Sequence, residues 1–416
     1  MRILVISQYF WPENFRINDL TKGLLERGHQ VTVLTGIPNY PDGKFFEGYG
    51  FSLNRSENYM GAQVFRVPLV PRGSGGSLRL ILNYFSFAFF SCLLAPYLCR
   101  GKYDVIFVFE PSPITVGLPA RVMRVLRRAP VLFWVQDLWP ESLSATGAIN
   151  NRRVLKGVRQ LVKFVYRGCD RILVTSRAYF PSVIAHGAKS SLIRYFPQSV
   201  EELYKPLTLD ENAPELKILP EGFRVIFAGN IGVAQSFETI ISAAEKLKNV
   251  SDIKFIIIGD GRKRQWVEDE IGKRGLEKTV HLVGRYPLES MPRFFSLADA
   301  LLVTLKKDPI FSLTIPGKLQ SYFACGKTVI AALDGEGARI ITEAGAGIVC
   351  ASEDAEGLAT AVMKMYQATK AQREAMGKAG LDYYNAHFNR ERLISQLEVW
   401  MKECINEHKQ RGIKNA

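Results

Sequence analysis

The stretch "VLFWVQDLWPESL", residues 131–143, places five apolar residues directly before Gln136, Asp137, Trp139, Pro140 and Glu141. Two carboxylates and an indole in so short a span can hold a polar ligand, stabilise a positive charge or take up a proton. The plain alternative is that Asp137 caps a helix opened by Pro140, with Glu141 in its first turn. A second polar–aromatic set follows the first apolar run: "SQYFWPENFRIN" carries Trp11, Glu13, Asn14 and Arg16, side chains suited to a sugar. "TGIPNYPDGKF" adds Asn39, Tyr40 and Asp42 on a loop where turn chemistry is the competing explanation.

These groups need strands to hold them. Apolar runs predict strands near 2–7, 30–35, 62–67, 103–109, 131–136, 171–175 and 191–195, with helical patterns at 15–28, 112–128, 151–168 and 177–186. The cycle restarts with "FRVIFAG", "DIKFIIIGDG", "TVHLVG", "ADALLVTL", "KTVIAAL" and "AGIVC". Strand–helix alternation implies α/β architecture with two doubly wound parallel sheets, and 416 residues suit two domains. The Pro-, Asp- and Glu-rich segment 204–222 separates them. Ligands in such sheets bind beyond the carboxyl ends of strands, which is where both polar sets fall, and two facing domains would enclose a cleft.

Three strands of the second half end in glycine: "FAGNIG", "IIGDGRKR" and "LVGRYP". Glycine there permits positive φ and a close backbone approach to a ligand, and a following helix N-terminus suits a diphosphate. "FSLTIPGKLQSYFACGKTVIAALDGEGARIITEAGAG", residues 311–347, is more specific. Pro316 can open a helix near Gly317, which puts Lys318 in a first turn whose dipole disfavours a cation. A bound phosphate would resolve that conflict. A solvated surface lysine is the alternative.

The run "IPGKLQSYFACGKTVIA", with "GNIG", "GDG" and "VGRY" in order, resembles the nucleotide-sugar domain of retaining glycosyltransferases of family 4, which have the GT-B fold. "WVQDLWPES" and "LDGEGARII" resemble the branch containing bacterial L-fucosamine transferases. The resemblance covers essentially the whole chain. It implies an acceptor-binding, membrane-docking domain at 1–203, a linker at 204–222, a donor domain at 223–385, and a C-terminal helix at 386–416 packing back on the first domain.

The resemblance further implies sugar transfer from a UDP-sugar, with retention, to a polyprenyl-diphosphate-linked glycan, on a front-face route without metal or cofactor. Its donor-binding positions here are Gly229, Asn230, Gly232, Gln235, Gly259, Arg262, Gly284, Arg285, Lys318, Gln320, Ser321, Glu336, Gly337 and Arg339. Asn230 and Gln235 stand where many members have Arg and Lys, so the charge falls to Lys318, helped by Arg262 and Arg339. Leu313 and Ser321 replace the family's paired glutamates, leaving Gln320 or Ser321 for the ribose and Glu336 for a donor hydroxyl. Asp137 or Gln136 occupies the place of the family's frequent histidine; the Asp137 carboxylate would stabilise an oxocarbenium ion, with Glu141 accepting the acceptor hydroxyl's proton or binding a sugar hydroxyl. Glu13, Asn14, Arg16, Asn39 and Tyr40 would bind the acceptor.

Composition narrows the field. Residues 1–200 hold 25 Lys and Arg against 11 Asp and Glu, so the whole net charge of +14 resides in that half. One basic half points to an anionic surface such as lipid rather than to nucleic acid. The uncharged run 80–99, flanked by Arg79, Arg100 and Lys102, is read as an interfacial helix-hairpin ahead of a buried core helix or a membrane span, and 152–168 as a basic amphipathic helix, with a solvated surface as its alternative. A peripheral place on the cytoplasmic face of the inner membrane follows. Six scattered cysteines suggest neither disulfides nor zinc, and "MRILVISQYF" reads as a strand rather than a signal peptide. The missing G-x-G-x-x-G after the first strand disfavours a dehydrogenase. A sugar-nucleotide 2-epimerase of the same fold and a non-catalytic glycan binder are the remaining alternatives.

Overall fold

Fourteen strands form two sheets in the computed structural model, which describes residues 1–73, 76–145, 151–208 and 213–414. The first sheet contains β1 (Arg2–Ser7), β2 (Gln30–Gly36), β3 (Ser56–Tyr59), β4 (Ala62–Val67), β5 (Val105–Glu110), β6 (Val131–Val135), β7 (Arg171–Val174) and β8 (Ile193–Tyr195). Its order is β3-β4-β2-β1-β5-β6-β7-β8, parallel except for the β3–β4 hairpin at one edge. The second contains β9 (Phe223–Ala228), β10 (Ile253–Ile258), β11 (Val280–Gly284), β12 (Ala300–Thr304), β13 (Val329–Ala332) and β14 (Gly347–Cys350). All six are parallel, in the order β11-β10-β9-β12-β13-β14. Every residue of β5, β6 and β7 is buried, as continuous apolar strands covered on both faces require.

The chain divides into two compact units, Met1–Pro197 with Glu391–Ala416, and Gln198–Arg390. The C-terminal helix belongs to the first: Leu393, Ile394, Leu397, Trp400, Met401 and Cys404 join the core formed by β1, β5 and β6. Arg27 ties it with Glu391 and Glu398 at 2.7 and 2.8 Å, and Arg171 with Glu407 at 2.5 Å. The segment 204–222 is packed rather than a free linker where it is described, residues 209–212 lying outside the described ones. Tyr204 stacks on Phe295 at 6.0 Å, and buried Glu215 pairs with Arg293 at 2.7 Å.

The run 80–99 forms one continuous helix, Ser77–Leu98, in place of the expected hairpin. Pro96 sits in its last turn, where the Arg127 guanidinium reaches the Pro96 carbonyl at 2.7 Å. One face packs inward through Asn83, Phe87, Ala88, Ser91 and Ala95. The other exposes Leu78, Leu82, Phe85, Phe89, Leu93 and Tyr97, a stripe at helical spacing. The segment is long and apolar enough to cross a membrane, with a third of it buried in the protein. The helix Arg152–Tyr166 buries only its C-terminal half, through Val162, Val165 and Tyr166, and exposes Arg152, Arg153, Lys156 and Arg159.

Candidate active site

In the second unit the strand-end turns are laced together. Gly229 donates to Ile258 O at 2.9 Å, Gly259 to Gly284 O at 2.8 Å, and Ile231 to Asp260 O at 2.8 Å. Gly229 and Gly259 have φ of 140° and 143°. A Cβ on Gly259 would stand 1.9 Å from Gly229 O, so these two backbones meet at a distance only glycine permits. Asn230 folds its amide against Gly232 and Gly261 in the same cradle.

Lys318 projects into this cradle from the first turn of the helix Gly317–Ala324, which Pro316 caps. Its Nζ donates to Gln235 Oε1 at 2.8 Å, lies 3.6 Å from the Phe227 ring centroid, and stands 3.4 Å from where a Gly229 Cβ would be. Among the described residues no carboxylate pairs with it. Burial lowers its pKa to about 7. A half-buried ammonium on glycine-shaped backbone at a helix N-terminus is chemically suited to diphosphate oxygens. Arg262 and Arg285 are exposed on the turns that follow β10 and β11.

Four expected donor contacts are engaged within the protein. Arg339 is taken up by Glu336, at 2.9 Å through both Nε and Nη2, and by Glu343, so it is not a free helper for the diphosphate. Glu336 is correspondingly occupied. Gln320, 2% exposed, directs its amide nitrogen to the Pro316 and Gly317 carbonyls at 3.0 and 3.1 Å. Ser321, 4% exposed, is buried on the same helix. Gly337 is needed for packing, since a Cβ there would crowd Leu333 and Pro316.

In the first unit Asp137 follows β6, and the short helix Glu141–Ala145 begins directly after Pro140. Burial raises Asp137 to a pKa of about 7, while Ser142 and the Leu138 amide hold it down. Glu110, the last residue of β5, is fully buried; neither oxygen makes a regular hydrogen bond, and burial and then the Asp137 charge push its pKa well up. Glu110 thus stands beside the strand end that carries Asp137, in surroundings that favour its protonated form. Sequence reasoning passed over it, although a terminal carboxylate on the otherwise apolar "VIFVFE" was a visible signal. Glu141 accepts from Ser182 Oγ at 3.0 Å and lies 3.4 Å from His186 Nε2, so it joins local helices.

The expected acceptor residues separate into two groups. Glu13 is 1% exposed and accepts from the Asn39 and Tyr40 amides at 2.8 Å each and from Phe10 at 3.3 Å. It stitches the β1 and β2 exit loops together and, being buried, has its pKa raised to about 7. Asn39 is likewise internal, accepting from the Arg72 amide at 3.1 Å and from Asn83 Nδ2 at 3.3 Å. Both make internal contacts. Asn14, Tyr40 and Trp11 are exposed, and Arg16 is half-buried. Among the described residues no group of three or more His, Cys, Asp or Glu is placed to hold a metal ion.

Over its whole length the chain has the GT-B glycosyltransferase fold. It superposes on HepE from Anabaena, solved in complex with UDP, with a TM-score of 0.70 at 15% identity, over 97% of this chain and 100% of that one. "Glycosyl transferase 4-like domain" matches residues 14–198, and "Glycosyl transferases group 1" matches 210–382. Pseudomonas aeruginosa WbjE, assigned by name as a glycosyltransferase, is 31% identical over 305 residues, 70% of this chain and 72% of its own. Escherichia coli K12 WcaI, assigned by name to colanic acid biosynthesis, is 26% identical over 79% of this chain and 83% of its own. The chain belongs to the glycosyltransferase family and is a transferase.

Proposed function

We propose that the protein transfers an N-acetylated or deoxy hexose from a UDP-sugar, with retention and without metal, to a polyprenyl-diphosphate-linked glycan in surface-polysaccharide synthesis. The observation that carries the reading is the Lys318 ammonium set in the Gly229–Gly259 cradle with no anion of its own. The naming of WcaI and the UDP bound to HepE support the reaction class and the nucleotide. The leaving diphosphate takes the acceptor proton and Lys318 carries its charge, the work that a divalent ion does elsewhere. Asp137 supplies negative charge to the developing oxocarbenium ion, and neutral Glu110 adds no competing charge beside it.

The exposed apolar stripe of Ser77–Leu98, with Val125, Leu126 and the cations of Arg152–Tyr166, suits peripheral docking on anionic lipid at the cytoplasmic face of the inner membrane. The test is a screen of nucleotide sugars by thermal stabilisation, followed by acceptor-dependent release of UDP with and without chelator. UDP-sugars should stabilise selectively, and turnover should survive EDTA. Stabilisation without acceptor-dependent release would sink the transferase reading, and loss of turnover restored by a divalent ion would sink metal independence.

A further inference from the structure

Arg72 lies outside every motif above, yet its guanidinium is held in a fixed place in the first unit. Its backbone N–H donates to Asn39 Oδ1 at 3.1 Å, and its Nη1 donates to the Tyr9 hydroxyl at 2.6 Å. Three tyrosine rings surround the guanidinium, with centroids 5.8 Å (Tyr9), 5.1 Å (Tyr40) and 6.0 Å (Tyr84) from Cζ. Tyr84 in turn packs edge-on against Trp139 at 6.2 Å, two residues after Asp137. Among the described residues no carboxylate pairs with Arg72, and its Nε and Nη2 make no hydrogen bond.

A half-buried guanidinium is ordinarily matched by a carboxylate. Ring faces offset part of the desolvation and fix the plane of the group, but they cancel no charge. What remains is an oriented Nε–Nη2 edge, the fork that receives two oxygens of a phosphate or carboxylate.

We propose that Arg72 is an anion site for the acceptor, binding two oxygens of a phosphate or carboxylate group beside the strand end that carries Asp137. Resting on the transferase reading, it assigns the acceptor a negative group near its reacting sugar. The sources are the diphosphate of a lipid carrier and the carboxylate of an acidic sugar.

The test saturates the full-length protein with UDP and titrates inorganic pyrophosphate and glucuronate separately by calorimetry, in wild type, Arg72→Gln and Arg72→Lys. At least one probe should bind wild type, and which one identifies the source. Arg72→Gln should weaken that probe tenfold or more while leaving UDP affinity within twofold. Arg72→Lys keeps the charge without the fork and should fall between them; it decides the matter should the Gln variant fold poorly. Equal probe binding in wild type and both variants, or no binding of either probe to wild type, overturns the proposal. Failure of UDP itself to bind would refute the transferase reading instead, and titration without UDP still reads Arg72.

Discussion

Binding of the UDP-sugar should draw a proton onto Lys318, and its affinity should therefore fall steeply with pH. In the free protein burial holds this ammonium at a pKa of about 7, against 10.5 for an ordinary lysine. A diphosphate beside Nζ favours the charged form and restores the higher value. With the free pKa at 7 and the bound one above 9, raising the pH from 7 to 9 weakens binding about 50-fold, or about 2 kcal/mol. Because the side chain is only partly buried, that figure is an upper one. At pH 8 uptake should approach one proton, about 0.9 per UDP-sugar. Calorimetry in buffers of different ionisation enthalpy measures that number directly.

Stability carries the opposite sign. A lysine whose folded pKa is depressed binds fewer protons than the unfolded chain between pH 7 and 10.5, so this group's cost to the free protein shrinks as pH rises. Ligand-free melting temperature and donor affinity should then respond to Lys318 in opposite directions. Lys318→Met should bind UDP more weakly at pH 7 and lose the proton uptake altogether. A wild-type affinity flat from pH 7 to 9, or uptake that persists in Lys318→Met, would refute the assignment of the diphosphate to this residue.

Much of this arrangement could be read from residue order, and what escaped did so for physical reasons. Buried parallel strands such as "VLFWV" and "FIII" announce themselves because both faces are apolar. The β3–β4 hairpin did not, since Ser56–Tyr59 is polar and lies at a sheet edge with alternating exposure. Pro316 and the glycine turns disclosed the cradle around Lys318 because they encode backbone geometry, which is local. The internal partners of Glu13, Asn39, Gln320 and Arg339 escaped for the converse reason: whether a polar side chain faces outward or a neighbouring loop depends on contacts made elsewhere in the chain. Glu13 meets Tyr40 across 27 positions, and Arg72 meets Tyr9 across 63. Those pairings have no local pattern. The helix Ser77–Leu98 was legible in its apolarity but not in its continuity, because Pro96 falls in the last turn and leaves the preceding turns intact.

Gly259→Ala should destabilise the second unit by about 1–3 kcal/mol and abolish UDP stabilisation, since its φ of 143° and the 1.9 Å approach to Gly229 O both exclude a Cβ; urea unfolding with and without UDP reads both effects. Replacing Arg152, Arg153, Lys156 and Arg159 by Gln, or Phe85, Phe89 and Leu93 by Ser, should each release the protein from anionic vesicles in co-sedimentation, the charge variant losing its salt dependence as well. Asp137→Asn should abolish turnover yet leave UDP binding intact, and wild-type kcat should fall below pH 7 as Asp137, at about 7, takes up its proton. The same substitution distinguishes a helix cap from a catalytic group by its effect on stability. A carboxyl raised from 3.8 to about 7 by burial destabilises the folded state at every pH where the unfolded chain is ionised, fully so above 7. Discounted for its partial exposure, that cost is about 1–2 kcal/mol at pH 8. An Asn at this position removes it, so the inactive variant should melt higher than wild type at pH 8 and no higher at pH 4. A residue kept for capping would show the reverse, a loss of stability on substitution, whereas a carboxylate that weakens the fold in the pH range where it is ionised is retained for what it does to the substrate.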